Sequence, residues 1–147
     1  MRIYMDACCL NRPFDDLSQA RNYFEAEAIL SIISRCENGE WSLISSGIID
    51  YELSRISDSE KSVQIQDIYS CAAEHVELTQ AAEKRAAYFR EHGIKLYDSL
   101  HLALAEESAA DVLLTTDDKF LKRANELTLT VKVFNPVKFF MGGMDNE

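Results

Sequence analysis

The chain has 147 residues, of which 47% are hydrophobic and 10% aromatic, and its formal net charge is −10. This composition is that of a globular protein, and the length predicts a single domain over residues 1–147. It excludes fibrous and disordered proteins. The acidic charge also argues against general electrostatic binding of nucleic acid, unless cations neutralise clustered carboxylates.

The N-terminal segment, MRIYMDACCLNRPFDD, has an apolar run much shorter than that of a secretory signal peptide, and it meets charge at Asp6. No apolar stretch approaches the roughly 20 residues that are needed to cross a bilayer. These features predict a cytoplasmic protein without a membrane partner. The four cysteines include no C-x-x-C pair, so free thiols are expected rather than a zinc site or a disulfide framework.

The first strand is predicted at RIYM, residues 2–5, which ends abruptly at Asp6 and has the composition of a buried strand. A loop, CLNRPFDD, follows. Asp16 and Gln19 then form a predicted N-cap pair for an amphipathic helix that ends at an Asn-Gly pair, residues 38–39. The buried face predicted for this helix consists of Tyr23, Ala26, Leu30 and Ile33.

The later elements continue the alternation of strands and helices. Strands are predicted at 41–44, 111–116 and 130–134, and helices at 47–56, about 60–73, 79–92, 96–110 and 117–127. The segment HVELT, residues 75–79, is either a short strand or only a connection. This pattern predicts an α/β fold with a central, mostly parallel sheet of four to five strands and helices on both faces. Residues from about 141 to 147 are predicted to form a flexible tail.

Two acidic residues directly follow predicted strands. Asp6 comes just after the first strand, and Asp117 comes just after VLLTT. The carboxyl ends of parallel strands meet at one edge of a sheet, and such sheets bind ligands there. The pattern therefore predicts that both carboxylates lie at the ligand-binding edge.

Two further acidic residues lie on apolar helices. Glu52 shares its helical face with Ile48 and Ile56, and an acid on a buried face costs free energy unless a partner satisfies it. Asp98 lies near the start of the apolar helix LYDSLHLALA. Taken singly, each of the four acids also has an ordinary structural explanation, as a helix cap or as an ion-pair partner.

Four carboxylates that converge on one site would raise one another's pKa values unless a cation neutralised them. Mg²⁺ and Mn²⁺ prefer carboxylate and water oxygens, and they can polarise a phosphoryl oxygen and activate water. Such a convergence would therefore favour hydrolysis of a phosphodiester. Cationic side chains predicted near the same edge are Arg12, Arg55, Lys95, Lys119, Lys122 and Arg123.

The chain resembles the PIN domain family, metal-dependent nucleases that include the VapC-like toxins of bacterial toxin–antitoxin pairs. The resemblance covers essentially the whole chain, through IYMDACCLNRPFDD, SLISSGIIDYELSRI and KLYDSLHLALAEESAADVLLTTDDKFLKRA. The last stretch is the most specific, because it joins a D-x-L-H-L-A-x-A helix to Thr-Thr-Asp-x-x-Phe after a strand. The first two stretches alone would be weak evidence for the resemblance.

The resemblance implies a ribonuclease that holds Mg²⁺ or Mn²⁺ at Asp6, Glu52, Asp98 and Asp117. It also implies a toxin role with an antitoxin partner, and a homodimer. Asp117 matches the motif better than Asp118, because it directly follows Thr-Thr and stands three residues before Phe120. His101 is expected to be a buried histidine near the site rather than a ligand. One departure is Cys8, where many family members have a small hydroxyl or amide side chain.

Three other interpretations fit parts of the pattern. A haloacid-dehalogenase-like phosphatase would need a second aspartate where Cys8 stands, and a response-regulator receiver would need an acidic pair where Asp6 is alone. The main alternative is a catalytically silent PIN-like module that only binds a protein partner. Retention of all four acids argues against this module, and metal-dependent cleavage of RNA would distinguish the two.

Overall fold

A computed structural model describes residues 1–143, and its centre is a five-stranded sheet in which every neighbouring pair of strands is parallel. The strands are β1 (Arg2–Met5), β2 (Ser42–Ser46), β3 (Glu74–Val76), β4 (Val112–Leu114) and β5 (Lys132–Phe134). The predicted α/β class is confirmed. The start of the HVELT segment belongs to an edge strand, β3, and is not merely a connection.

Helices connect the strands throughout the described chain. They are α1 (Ala7–Asn11), α2 (Ala20–Glu37), α3 (Gly47–Ser54), α4 (Ser59–Tyr69), α5 (Gln80–Glu91), α6 (Leu96–Glu107), α7 (Asp118–Asn125) and α8 (Pro136–Lys138). A short 3-10 helix follows α1, and an irregular helical turn at Phe139–Gly143 follows α8. The last four residues of the predicted tail lie outside the described residues. No helix within 1–143 is long and apolar enough to cross a lipid bilayer.

β1 lies at the centre of the sheet and is buried on both faces. Ile3, Tyr4 and Met5 are fully buried, and Tyr4 lies opposite Ile44 of β2 and Leu113 of β4. The strand order is β3-β2-β1-β4-β5, so the chain builds one side of the sheet before it crosses to the other. Because β-α-β crossovers are right-handed, this reversal places helices on both faces and opens a crevice between the ends of β1 and β4.

The segment after β1 is helical, whereas the sequence predicts only a loop there. The side chain of Asp6 accepts a hydrogen bond from the backbone N–H of Cys9, 3.0 Å away, and so caps α1. A helix of five residues has little more than one turn, which is too short for apolar periodicity to become visible. Asp6 therefore both ends the central strand and starts the first helix.

The start of α2 also differs from the prediction. Gln19 is the N-cap residue, and its side chain makes no capping hydrogen bond. Asp16 instead accepts hydrogen bonds from the backbone N–H and the hydroxyl of Ser18, at 3.0 and 2.7 Å. The predicted N-cap pair is therefore wrong, because Asp16 stabilises a turn that precedes the helix.

The buried face of α2 is only partly the predicted one. Ala26 and Ile33 are buried, but Tyr23 and Leu30 are exposed. Glu25 is buried on the helix, which apolar periodicity cannot predict because it treats every acid as exposed.

Cations and an amide surround the buried Glu25. Arg12 Nε and Arg21 Nε lie 3.0 and 3.2 Å from its carboxylate oxygens, and Asn135 Nδ2 donates to it at 2.6 Å. Arg21 also donates to both carboxylate oxygens of Asp118, at 2.7 and 2.9 Å. This network ties α2 to the residue after β5 and to the start of α7.

Candidate active site

Asp6 and Asp117 follow neighbouring strands at the crevice. The backbone N–H of Asp6 donates to the carbonyl of Leu114, the last residue of β4, across 3.2 Å. Asp117 follows β4 after Thr115 and Thr116, which are both buried. The two acids therefore lie at the same edge of the sheet, as the alternation of strands and helices predicts.

Asp6 is almost completely enclosed, with 3% of its surface exposed. Its Oδ1 accepts hydrogen bonds from Cys9 N and, at 2.9 Å, from the thiol of Cys8. Burial raises the pKa of this carboxyl well above its ordinary value. The Cys8 sulfur also lies 3.6 Å from Thr115 Oγ1, so the thiol contacts both Asp6 and the residue that follows β4.

Asp117 is fixed by the start of α7. Its Oδ1 accepts from the backbone N–H groups of Lys119 and Phe120, at 3.0 and 3.1 Å. Its own N–H donates to Thr115 Oγ1 at 3.1 Å. The Thr115 hydroxyl thus helps to position the Asp117 carboxylate, because it accepts a hydrogen bond from the backbone N–H of Asp117.

Asp98 lies in the first turn of α6 and is half-buried. Its pKa is raised to about 6, chiefly by burial and then by the negative charges of Asp6 and Asp117, with a smaller effect from Glu52. His101 opposes this shift only in part. The charge of Asp98 therefore interacts with those of all three other predicted site residues.

Glu52 is held by a chain of buried polar side chains. His101, which is 1% exposed, pairs through Nε2 with Glu52. The Nδ1 of His101 is 2.7 Å from Tyr4 Oη, and Tyr4 Oη is 2.8 Å from Ser46 Oγ. His101 is thus the expected buried histidine. Sequence reasoning missed Tyr4, although a tyrosine within a central strand usually needs a partner for its hydroxyl.

A cleft of about 110 Å³ opens beside two of the acids, Asp98 and Asp117. Its cationic lining residues are Lys95, Lys119 and Arg123. Gly93 has φ +88°, and a Cβ there would lie 2.2 Å from Arg123 Nη1, so glycine allows both the turn and the close approach of the guanidinium. Three of the six predicted cations therefore border the acidic residues directly.

Asp118 has a different environment from Asp117. It is exposed, and Arg21 holds both of its oxygens, which lowers its pKa below the ordinary value. Asp50, which the sequence pattern sets aside on α3, is also exposed. Both acids thus lie outside the group that interacts with Asp98.

The four acids share an edge but do not form a compact cluster. Within the described range 1–143, no group of three or more His, Cys, Asp or Glu side chains is placed so that it could hold a metal ion. Asp6 and Asp117 each point to a helix N-terminus, and Glu52 points to His101. The four residues interact through their charges, while oxygens of Asp6, Glu52 and Asp117 are hydrogen-bonded to neighbouring groups.

The fold and site define an α/β protein with an acidic crevice at the point where the order of its parallel strands reverses. Residues 3–126 match the PIN domain family. The chain therefore belongs to the PIN domain family. A comparison with curated proteins found no significant match.

Several solved structures share the fold. VapBC2 from Rickettsia felis, solved with a DNA fragment from its promoter, is 15% identical, with 92% of this chain and 98% of that chain covered and a TM-score of 0.58. VapBC-1 from nontypeable Haemophilus influenzae is 16% identical, with 94% and 100% covered and a TM-score of 0.59. PAE2754 from Pyrobaculum aerophilum is 18% identical, with 100% and 91% covered and a TM-score of 0.57. These low identities show a common fold alone.

The contact between Cys8 and Asp6 gives a testable prediction. Cys8→Ser should preserve stability, because a hydroxyl can donate to Asp6 Oδ1 as the thiol does. Cys8→Ala should lose about 1 kcal/mol relative to the serine variant, because the enclosed carboxylate keeps one donor fewer. Urea unfolding in EDTA measures both values. An alanine variant as stable as the serine variant would mean that the contact contributes nothing.

Proposed function

We propose that this PIN domain protein is a ribonuclease that hydrolyses RNA phosphodiester bonds at Asp6, Glu52, Asp98 and Asp117 with Mg²⁺ or Mn²⁺. The position of Asp98 carries the proposal. It lines one cleft with Asp117, and the charges of Asp6 and Asp117 add to burial in raising its pKa to about 6. Carboxylates whose negative charges repel one another reduce the stability of the fold, and such groups are typical of functional sites.

The chemistry of the four side chains suits a hard divalent ion. All four are carboxylates, the ligand type that Mg²⁺ and Mn²⁺ prefer. Asp6 and Asp117 each accept their helix-capping hydrogen bonds on one oxygen, Oδ1. When bound, such an ion would polarise a phosphoryl oxygen and lower the pKa of a water molecule, which would favour attack on the phosphodiester.

Other residues of the chain would bind the RNA and orient the carboxylates. Lys95, Lys119 and Arg123 line the cleft and can hold a phosphate group, whereas the net charge of −10 repels nucleic acid elsewhere. His101, held by Tyr4, orients Glu52. The proposal therefore relies on local cations for binding, and it needs no basic surface.

A cleavage assay with controlled metal content tests the proposal. Labelled single-stranded RNA should be cut in the presence of Mn²⁺, left intact in EDTA, and cut again when excess Mn²⁺ is added. A protein that cleaves no RNA and binds no divalent ion would instead be the catalytically silent interaction module.

Substitutions of Asp117 and Asp118, the neighbouring aspartates at the start of α7, should differ sharply in this assay. Asp117→Asn is expected to lower the cleavage rate at least about 100-fold, since changes even around metal ligands cost about 10- to 100-fold. Asparagine is also a good N-cap, so the fold should persist. Asp118→Asn removes only an exposed ion pair with Arg21, and the rate should change less than about threefold. Equal losses in the two variants would contradict the assignment.

Protein partners are part of the same proposal. Solved structures with this fold include VapBC complexes, and we propose an antitoxin as the partner of this chain, together with a homodimer. Exposed apolar side chains of α2 offer a surface for a partner, namely Tyr23, Phe24 and Leu30. Expression of the chain alone should arrest growth, and coexpression of a small protein encoded beside it should relieve the arrest. Light scattering measures the oligomeric state.

A further inference from the structure

Two exposed tyrosines lie against each other, and each is adjacent in sequence to a carboxylate of the site. Tyr51 directly precedes Glu52 on α3, and Tyr97 directly precedes Asp98 on α6. Their ring centroids are 6.2 Å apart and their planes meet at 27°, which is a stacked arrangement. Tyr51 is 45% exposed and Tyr97 is 39% exposed. Two large aromatic side chains from different helices therefore form one accessible surface at the edge of the site.

A cation completes this surface. Arg55 Nη1 is 2.7 Å from Tyr51 Oη, to which it donates, and the guanidinium carbon lies 5.7 Å from the centre of the Tyr51 ring. Among residues 1–143, Arg55 makes no ion pair with a carboxylate, so no neighbouring acid cancels its charge. The surface thus combines aromatic rings with a positive charge.

This combination fits a nucleic acid strand better than a protein surface. Bases of single strands stack on aromatic side chains, and a nearby guanidinium can contact the backbone phosphate or the base. A protein covering the pair would also desolvate the adjoining Glu52 and Asp98, which costs free energy. A strand on the tyrosines would leave its phosphates free to reach Lys95, Lys119 and Arg123 in the cleft.

We propose that Tyr51 and Tyr97 form a stacking platform for an unpaired base of the RNA substrate, with Arg55 holding that nucleotide at its edge. This inference rests on the ribonuclease function proposed above, and it specifies the substrate as single-stranded RNA. A paired base within a duplex offers no free face to the platform, so duplex RNA is a poor ligand.

The test uses a ten-nucleotide single-stranded RNA that carries 2-aminopurine, with binding measured in EDTA at low salt so that no cleavage occurs. The variant Tyr51→Leu/Tyr97→Leu should raise Kd roughly 5- to 100-fold, the range expected for loss of base stacking. It should also abolish the quenching of 2-aminopurine fluorescence that stacking on the wild type produces. The variant Tyr51→Phe/Tyr97→Phe keeps both rings and should bind nearly as the wild type does.

Tyr88 provides a matched control. It is 39% exposed, and the guanidinium carbon of Arg85 lies 5.0 Å from its ring centre, but no site carboxylate adjoins it in the sequence. Tyr88→Leu should leave Kd and quenching unchanged. Equal Kd values for the wild type and the double leucine variant, including the absence of binding by both, would overturn the proposal. So would a loss of affinity in Tyr88→Leu equal to that in the double variant.

Three further outcomes separate this inference from other possibilities. If the double leucine variant changes from dimer to monomer in light scattering while Kd stays constant, the tyrosines form a protein interface and the proposal is wrong. If RNA binds through the tyrosines but Mn²⁺ supports no cleavage, the platform stands and the nuclease proposal fails. If Mn²⁺ supports cleavage with an unchanged KM in the double variant, the nuclease stands and the platform fails.

Discussion

Asp98→Asn is expected to reduce RNA cleavage at least about 100-fold, because it removes a carboxylate that interacts with all the other acids of the site. Asparagine has nearly the same shape, and α6 is anchored by buried residues that follow Asp98, such as Leu102 and Ala105, so the fold should not change. RNA cleavage in Mn²⁺ measures the loss of activity, and far-ultraviolet circular dichroism checks that the fold is unchanged. Asp50→Asn, an exposed acid on α3, is the matched control and should cleave normally.

The same substitution should make the protein more stable in EDTA. The pKa of Asp98 is about 6 in the folded protein and 3.8 ordinarily, so the folded state binds more protons between these values and stability falls as pH rises through them. The difference corresponds to about 3 kcal/mol, which solvent screening of a half-exposed group reduces to roughly 1–2 kcal/mol. Above pH 6, Asp98→Asn should therefore exceed the wild type in stability by that amount.

Urea unfolding at several pH values tests this sign. The stability advantage of Asp98→Asn should grow from about pH 4 to about pH 6 and then stay constant. An aspartate that instead stabilised the protein above pH 6 in EDTA would mean that the carboxylate is satisfied by the chain itself. Such a result would remove the main physical argument for a functional acidic site.

His101→Ala is expected to destabilise the fold by roughly 2–5 kcal/mol, since it opens a cavity and leaves buried polar groups without a partner. The hydroxyl of Tyr4 loses its hydrogen-bond partner, His101 Nδ1 at 2.7 Å, and Glu52 loses its contact with His101 Nε2. Affinity for Mn²⁺ should also fall by about 10- to 100-fold, because a displaced Glu52 no longer has a fixed orientation. Urea unfolding and calorimetric titration measure these effects.

Two variants control for this prediction. His92→Ala removes an exposed histidine at the end of α5 and should change stability by less than about 0.5 kcal/mol. Tyr4→Phe keeps the ring but removes the hydroxyl, and should cost about 1–2 kcal/mol. If His101→Ala is as well tolerated as His92→Ala, the hydrogen-bonded side chains that link Ser46 through Tyr4 and His101 to Glu52 do not support the site.

The sequence predicts the sheet, and the position of Asp6 and Asp117 at one edge of it, because both depend on strong local patterns. Residues 3–5 of the central strand form a continuous apolar run, and the middle of α6 is mostly apolar, so the burial of these residues follows largely from composition. Asp6 and Asp117 each stand where such a run stops. The rule that ligands bind at the carboxyl ends of parallel strands then places both acids at one edge.

Features that depend on distant partners could not be predicted. Glu25 is buried because Arg12, Arg21 and Asn135 surround it. Arg21 lies one turn before it on α2, but Arg12 and Asn135 come from other parts of the chain. Tyr23, which lies on the predicted buried face of α2, is exposed. Periodicity assigns each side chain by type alone, so it cannot anticipate an acid that a network neutralises.

The hydrogen bonds of the site carboxylates could not be predicted from local sequence patterns either. The resemblance to the PIN domain family implies that four acids hold a metal, but it does not specify that Asp6 and Asp117 also cap helices or that His101 holds Glu52. The stacking of Tyr51 on Tyr97 joins two residues that are 46 positions apart in sequence and lie on different helices, which local periodicity cannot predict.

Calorimetric titration of Mn²⁺ into the metal-free wild type, Asp98→Asn and Asp50→Asn tests the central claim most directly. We expect saturable binding by the wild type and by Asp50→Asn, and none by Asp98→Asn at the same concentrations. The binding should also raise the melting temperature of the first two proteins, since the ion binds only the folded state. Identical titrations for all three proteins, or no binding by the wild type at millimolar Mn²⁺, would contradict a metal site built on these carboxylates.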